Sequence, residues 1–196
     1  YGTMAKLDYL VIHVLKWECG ATQSQICQFP NPGDLFNVVK TTKLNSHDVG
    51  GWTNSGITLD TWRRMGYDND GDGNRDLADL RAMTYEQWYG IIRQGYWDRA
   101  QADDILNQSV ANMIVDFMIT SGGAPRVVQR TVGVRADGII GPRTIAAINA
   151  QPADILFSRL TSARLNYYRR LPTWCRFGNG WTRRVRDIKF DRRASR

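Results

Sequence analysis

An apolar pattern with helical spacing runs through residues 7–18, whose sequence is LDYLVIHVLKWE. Its apolar side chains recur at the i, i+3 and i+4 spacing of one helix face, at Leu7, Leu10, Val11, Val14 and Leu15. Because successive helical residues are about 100° apart, Glu18 falls in the middle of that face. The pattern therefore predicts a first helix that turns a carboxyl group toward the core.

A carboxyl group in that position suits acid catalysis. Burial and the negative end of the helix dipole both disfavour the charged form, so we expect the pKa of Glu18 to be raised. A carboxyl group that keeps its proton near neutral pH can protonate the leaving oxygen of a glycoside. The alternative is that the helix ends earlier and Glu18 points into water, and the spacing alone favours neither.

Bulk properties limit the class of protein. The 196 residues suffice for one domain with a hydrophobic core. The net charge of +7 favours polyanionic partners, namely nucleic acid, anionic lipid or a bacterial envelope, and charge alone does not choose among them. No stretch approaches the roughly 18 consecutive apolar residues that span a bilayer. Residues 1–15 lack the pattern of a secretory leader, so the export route is not predicted. Of the three cysteines, Cys19 and Cys27 could form a bridge, or all could be thiols.

Helical spacing also dominates the rest of the chain, which predicts a mainly α fold. Residues 58–65 are predicted as a short helix that ends at Gly66, and Thr84 with Gln87 fits a capping box. A central helix carries the strongest apolar stripe, at Val110, Met113, Ile114, Phe117 and Met118. Polar residues with prolines and glycines between positions 19 and 57 predict a long loop, with a small hairpin around residues 36–39.

A glycine-rich polar run, DVGGWTNSGIT, occupies residues 48–58. By composition it is only a loop before a helix cap. Together with Glu18-Cys19-Gly20 at the end of the first helix, it resembles glycoside hydrolase family 108. The members of this family are lysozyme-like N-acetylmuramidases of phage endolysins and bacterial genomes, and some are labelled secretion activators. Weaker matches at residues 96–97, 116–122 and 180–185 extend the resemblance over most of the chain.

The resemblance implies a single-domain, lysozyme-like helical fold and hydrolysis of peptidoglycan glycan strands, with Glu18 as general acid. Asp48 is the first candidate for a second catalytic group because it opens the glycine-rich run, although a turn-forming role is nearly as well supported. Six residues are expected to contact substrate: Trp52, Thr53, Asn54, Thr58, Tyr96 and Trp97. For the aromatic residues Tyr96 and Trp97, core packing is the alternative.

The sequence departs from the family in two places. The family has Glu-Gly-Gly where this chain has Glu18-Cys19-Gly20, and the connection from Glu18 to Asp48 is much longer than usual. The first change leaves the acid untouched. The second leaves open whether the inserted residues cover the cleft.

A second resemblance covers residues 127–134 and 137–144, which are similar to the predicted peptidoglycan-binding segment on the C-terminal side of this family. The glycines and proline there show only a tight turn between two helices, so a plain helix–turn–helix is the alternative. We predict a catalytic region at residues 1–122 and a peptidoglycan-binding helical region at residues 123–196, packed as one unit.

Residues 68–79 follow the spacing of an EF-hand-type calcium loop. Oxygen-bearing residues occupy positions 1, 3, 5, 7, 9 and 12, as Asp68, Asp70, Asp72, Asn74, Asp76 and Asp79. Asn74 would contribute its backbone carbonyl, and Asp79 stands where a longer bidentate Glu is usual, which indicates modest affinity. The loop therefore predicts structural Ca²⁺ with no part in the chemistry. A solvated acidic loop is the alternative.

These features predict a monomeric enzyme that acts on bacterial peptidoglycan in the periplasm or cell wall. The alternative is a non-catalytic cell-wall-binding or secretion-accessory protein. A nucleic-acid partner is not expected, because the C-terminal arginines alternate with Trp181, Val185 and Ile188 as in a packing helix.

Overall fold

A computed structural model describes residues 4–44 and 51–195, and Asp48 lies outside these residues. The mainly α prediction is confirmed, because helices make up most of the described residues and their sheet has three short strands. The α-helices are α1 Val11–Cys19, α2 Gln23–Gln28, α3 Pro32–Val39, α4 Leu59–Met65, α5 Leu77–Arg81, α6 Tyr85–Ile92, α7 Gln108–Thr120, α8 Ala124–Val132, α9 Pro142–Asn149, α10 Ala153–Arg169 and α11 Trp174–Asp187; the strands are β1 Thr42–Leu44, β2 Trp52–Asn54 and β3 Ile57–Thr58.

The chain forms two compact units. The hairpin unit comprises the described residues of Val11–Gln94, and the helical unit comprises those of Tyr1–Leu10 and Gly95–Arg196. This division differs from the boundary at residue 122 drawn from the sequence, which stays a prediction. None of the described helices has both the length and the apolar character needed to cross a membrane.

The segment between residues 19 and 57 is more regular than the sequence predicted. The small hairpin expected around residues 36–39 is wrong, because these residues belong to helix α3. Pro32 lies in the first turn of α3, and the Asn31 side chain accepts a hydrogen bond from the Asp34 N–H. This helix buries Leu35, Phe36 and Val39. Proline, taken as a sign of a loop, here starts a helix.

A small antiparallel sheet follows α3, with strand order β1-β2-β3. The register pairs Asn54 with Ile57 and leaves Ser55 and Gly56 as the two central residues of a hairpin turn. Both have positive φ, 51° and 85°, as a type I′ turn requires. This turn matches the right-handed twist of the strands and fixes the register of β2 against β3.

An aromatic cluster joins α3 to α6 in the core of the hairpin unit. The ring of Phe36 lies 5.8 Å from that of Trp88 and 5.9 Å from that of Tyr85, measured between centroids. Phe36 and Trp88 are fully buried. Burial of one such side chain stabilises the fold by roughly 1.5–3 kcal/mol, so this cluster holds the inserted helix in place.

In the helical unit, α10 packs on α7, α8 and α11. The apolar stripe predicted for the central helix is confirmed, since all five of its residues are buried on α7. Asp116, on the same helix, is also fully buried. Its Oδ2 lies 2.7 Å from Arg164 Nη2, and its Oδ1 lies 2.8 Å from Arg184 Nη2. A carboxylate bound by two guanidinium groups in the core is a structural group.

Candidate active site

Glu18 lies in the last turn of α1 and is half-buried. Val11, Val14 and Leu15 of the same helix are fully buried, as the apolar spacing predicted. After Glu18 the helix continues only to Cys19, and Gly20 then adopts a left-handed φ of 71°. The helix therefore extends far enough to carry Glu18 on the side of its buried residues.

The hairpin turn between β2 and β3 packs directly against Glu18. A Cβ atom added to Gly56 would lie 2.7 Å from Glu18 Oε2, 3.0 Å from its Cδ and 3.1 Å from its Cβ. The first of these separations is shorter than real Cβ contacts and the other two are tighter than most, so any side chain at this position would force Glu18 to shift. Gly56 is required twice, once for the positive φ of the turn and once for the space that Glu18 occupies.

A chain of buried hydrogen bonds fixes the turn. The Trp88 indole N–H donates to the Ser55 carbonyl at 2.9 Å, and the Ser55 hydroxyl donates to Asn54 Oδ1 at 2.8 Å. The Asn54 amide nitrogen donates to the Leu80 carbonyl at 2.8 Å. Asn54, Ser55 and Trp88 are all at most 2% exposed. Buried polar groups with all of these partners form a rigid support, because breaking one bond leaves an unsatisfied group in the core.

Cys19 is the neighbour of Glu18 in the chain and is half-buried beside the turn. The pKa of the Cys19 thiol is raised to about 11, chiefly by burial; the hydrogen bond with Ser55 acts against this, neighbouring Glu18 adds to it, and the charge of Lys43 opposes it. At neutral pH the side chain is therefore an uncharged thiol. The cysteine that replaces the second residue of the family motif adds no charge next to Glu18.

The other predicted substrate residues of the hairpin unit have varied surroundings. Trp52 and Thr53 are half-buried on β2, and the guanidinium of Arg81 lies 5.1 Å from the Trp52 ring centroid. Thr58 accepts a hydrogen bond from the Thr61 N–H and caps α4. Asn54 needs a correction. Its amide is buried and bonded on both sides, so it supports the turn instead of contacting substrate.

Tyr96 and Trp97 belong to the helical unit, at the end of the π-helix Arg93–Trp97. Tyr96 is half-buried. Trp97 is fully buried, and its indole N–H donates to Asp103 Oδ1 at 2.8 Å. A ring with no exposed surface cannot stack on a sugar, so we correct Trp97 from a substrate residue to a core residue.

The sequence missed Ser55, Gly56 and Trp88. The Ser55-Gly56 pair between two strands was the available signal, because a small residue followed by glycine is common in a two-residue hairpin. The contact of this pair with Glu18 joins residues far apart in the chain, and local spacing does not reveal it. The local sequence around Trp88 gives no signal of its role, because its hydrogen bond to the turn depends on the packing of α6.

The acidic loop of residues 68–79 brings three carboxylates together. Asp68, Asp70 and Asp79 each offer an oxygen within 4.8 Å of the others. Asp79 is buried, and backbone N–H groups, first that of Asp76, hold its pKa below the usual range. The pKa of Asp70 is raised: the Asp72 N–H lowers it, but desolvation and the charges of Asp72 and Asp79 outweigh that bond.

The chain also matches known proteins. Residues 42–122 match the family described as Glycosyl hydrolase 108, and residues 123–186 match the Predicted Peptidoglycan domain. These matches give the chain a peptidoglycan-related function. It belongs to the glycosyl hydrolase 108 family, as the sequence resemblance indicated. It is similar to the solved structure of SagA from Brucella abortus, with 33% sequence identity, a TM-score of 0.64, and coverage of 86% of this chain and 92% of that chain. No curated protein matches it. Glu18 lies before the segment that matches the glycosyl hydrolase family, and the turn at Gly56, against which it packs, lies within that segment.

Proposed function

We propose that the chain hydrolyses the bond between N-acetylmuramic acid and N-acetylglucosamine in peptidoglycan, with Glu18 as the general acid. The observation that carries this proposal is the packing of Glu18 against Gly56, in a chain of the glycosyl hydrolase 108 family. The carboxyl group is half-buried and is positioned by a turn that buried hydrogen bonds hold in place. A positioned proton donor of this kind protonates the leaving oxygen as the glycosidic bond breaks.

A water molecule must then attack the sugar, or a nucleophile must hold it first, which needs a second group. Asp48 stays the predicted second group, and it lies outside the described residues. Thr53 faces Thr58 across the β2–β3 register and lies in the same hairpin as the turn beside Glu18. We propose that their hydroxyls and the Trp52 ring contact the sugar chain. Tyr96, which belongs to the helical unit, stays a predicted substrate residue. Because the substrate is the wall polymer, the protein would act in the periplasm or cell wall.

Replacing Glu18 by glutamine tests the proposal. The chain has two glutamates, and Glu86 is exposed on α6, which makes Glu86→Gln the matched control. We expect purified cell walls to lose turbidity with the wild type and Glu86→Gln, and to keep it with Glu18→Gln. Removing a general acid lowers the rate typically by about 100- to 10,000-fold. Mass spectrometry of the digest should find N-acetylmuramic acid at the new reducing ends. Equal clearing by Glu18→Gln would refute Glu18 as the general acid, whereas no clearing by any variant would favour the non-catalytic wall-binding alternative.

We also propose that the loop of residues 68–79 binds Ca²⁺ in a structural role. Carboxylates gathered this closely repel one another, and a hard divalent cation with oxygen ligands removes that repulsion. Asp68, Asp70 and Asp79 would hold the ion, with Asp72, Asp76 and the Asn74 carbonyl as further ligands. Calcium should raise the melting temperature of the wild type and not that of Asp70→Asn. Calorimetry that finds no heat of binding and no thermal shift with the wild type would refute the site.

A further inference from the structure

A groove of about 690 Å³ lies in the helical unit, between the end of α8 and the start of α9. Its volume falls within the roughly 300–1,000 Å³ of small-molecule sites. The lining includes Gln129, Arg135, Asp137, Ile139, Arg143 and Thr144. All of these residues lie within the match to the Predicted Peptidoglycan domain, and none belongs to the hairpin unit that carries Glu18.

One buried side chain organises the loop that forms the groove. Gln129 is 1% exposed, and its amide nitrogen donates to Asp137 Oδ1 at 2.8 Å and to the Ile139 carbonyl at 2.9 Å. Its amide oxygen accepts the Gly138 N–H at 2.8 Å. Gly138 has a φ of 85°, which lets the backbone turn at this point. The loop is therefore built before any ligand arrives, which lowers the entropic cost of binding.

A second contact supports the same loop from α8. The Arg126 guanidinium donates to the Ala136 carbonyl at 2.9 Å, and a Cβ on Gly138 would come within 3.4 Å of it. The Gly133 residue that ends α8 adopts a left-handed φ of 81°. The Arg126 guanidinium thus binds the backbone of the loop, whereas the guanidinium groups of Arg135 and Arg143 are exposed in the groove.

The groove presents two cationic side chains and one apolar one to solvent. Arg135 and Arg143 are exposed, and no hydrogen bond or ion pair joins Arg143 to any residue that the structure describes. Ile139, also in the groove lining, is 74% exposed, so its apolar side chain is available for contact. Two guanidinium groups beside an apolar side chain suit a short chain that carries carboxylates and methyl groups.

Asp137 gives the groove one negative group as well. The N–H groups of Ile139 and Gln129 and the charge of Arg135 hold the pKa of Asp137 below its usual range, so it is a carboxylate at neutral pH. The two hydrogen bonds go to Oδ1. The other oxygen can accept from an ammonium group, so the groove carries both signs of charge at its wall.

We propose that this groove binds the peptide stem of peptidoglycan, with Arg135 and Arg143 on the stem carboxylates, Asp137 on the amino group of the diamino acid, and Ile139 on an alanine methyl. The proposal rests on the proposed function for the identity of the polymer. It assigns recognition of the peptide to the helical unit, whereas Glu18 in the hairpin unit acts on the sugars. Wall with intact stems would therefore be held while its glycan is cut.

The test measures binding of a free tetrapeptide, L-Ala–D-Glu–diaminopimelate–D-Ala, to the full chain by calorimetry. The groove variant carries Arg135→Gln and Arg143→Gln. The control carries Arg183→Gln and Arg186→Gln, which removes the same charge from exposed positions on α11. We expect the groove variant to weaken binding by about tenfold or more, since bonds between charged groups are the strong ones, and the control to bind like the wild type.

Three results would overturn the inference: no binding of the tetrapeptide to the wild type, wild-type binding by the groove variant, or equal weakening by the control. Equal weakening would mean that diffuse positive charge attracts the peptide. Circular dichroism and thermal melting of both double variants verify that they are folded. The outcome is separable from the proposed function. Walls cleared by a chain that does not bind the peptide refute only the groove, whereas a Glu18→Gln chain that clears walls and binds the peptide refutes only the acid.

Discussion

Gly56→Ala would act on Glu18 without changing any titratable group. The new Cβ would lie 2.7 Å from Oε2, whereas ordinary contact begins at 3.4 Å, so the carboxyl and the turn must separate by about 0.7 Å. Rotation of the Glu18 side chain cannot relieve the whole overlap, because its Cβ would also lie at 3.1 Å and the helix fixes that atom. A misplacement of about 1 Å in a catalytic group can cost about 100-fold in rate, so we expect wall clearing to fall by roughly 10- to 100-fold.

The control for this variant is Gly51→Ala. Gly51 also has a positive φ, 66°, but among the described residues its added Cβ would meet Leu44 Cδ1 alone, at 3.8 Å. Both variants place alanine in the left-handed region and should each lose about 1–2 kcal/mol of stability, measured by urea unfolding. They differ in the contact with Glu18. If folded Gly56→Ala cleared walls as fast as Gly51→Ala, the argument that the turn positions the acid would be wrong.

Two further predictions concern the core and the thiols. Asp116→Asn removes the carboxylate from two buried arginines and should lower the free energy of unfolding by about 3–5 kcal/mol, whereas Asp8→Asn at an exposed position should change it little; a similar urea midpoint for both would contradict the buried ion pair. Because burial raises the pKa of Cys19 to about 11, the reactive thiolate is scarce below that pH. Iodoacetamide at pH 8 should therefore label the exposed Cys27 and Cys175 first, and Cys19 should react faster as the pH rises toward 11, as peptide mass spectrometry would show. Labelling of Cys19 as fast as the exposed thiols at pH 8 would show that it is not shielded.

Helix ends were the most predictable part of the fold, because their signals are local. Thr58 caps α4 and Gly66 ends it, and Thr84 with Gln87 forms the capping box of α6, as the sequence indicated. A cap depends on a side chain and a backbone N–H three residues away, so both partners stand in the same short window.

The inserted segment was harder to predict because its signals conflict. Pro32 and Gly33 are common in loops and led to the prediction of a loop, although Leu35, Phe36 and Val39 are spaced as on one helix face. The helix forms because these three side chains meet the aromatic residues of α6, which come some fifty residues later in the chain. No local window contains that partner, so tertiary packing decided the outcome.

The candidate site was predicted in part. Periodicity placed Glu18 on the buried side of α1, and the glycine-rich run contains the turn that packs against Glu18. It did not indicate that Asn54 is buried as a support, because an amide suits both a ligand contact and a structural hydrogen bond. The sequence also did not indicate whether Trp97 lies in the core or stacks on a sugar, since an aromatic residue suits either position.

The ion pairs of Asp116 affect which fragments of this protein can fold on their own. Asp116 precedes residue 122, where the match to the glycosyl hydrolase family stops, and both of its guanidinium partners follow that point. A fragment that starts at residue 123 lacks α7, so Arg164 and Arg184 lose both their carboxylate partner and the helix that carries it. The segment that matches the Predicted Peptidoglycan domain therefore depends on α7 for its core. Any successful transplant must bring α7 with it.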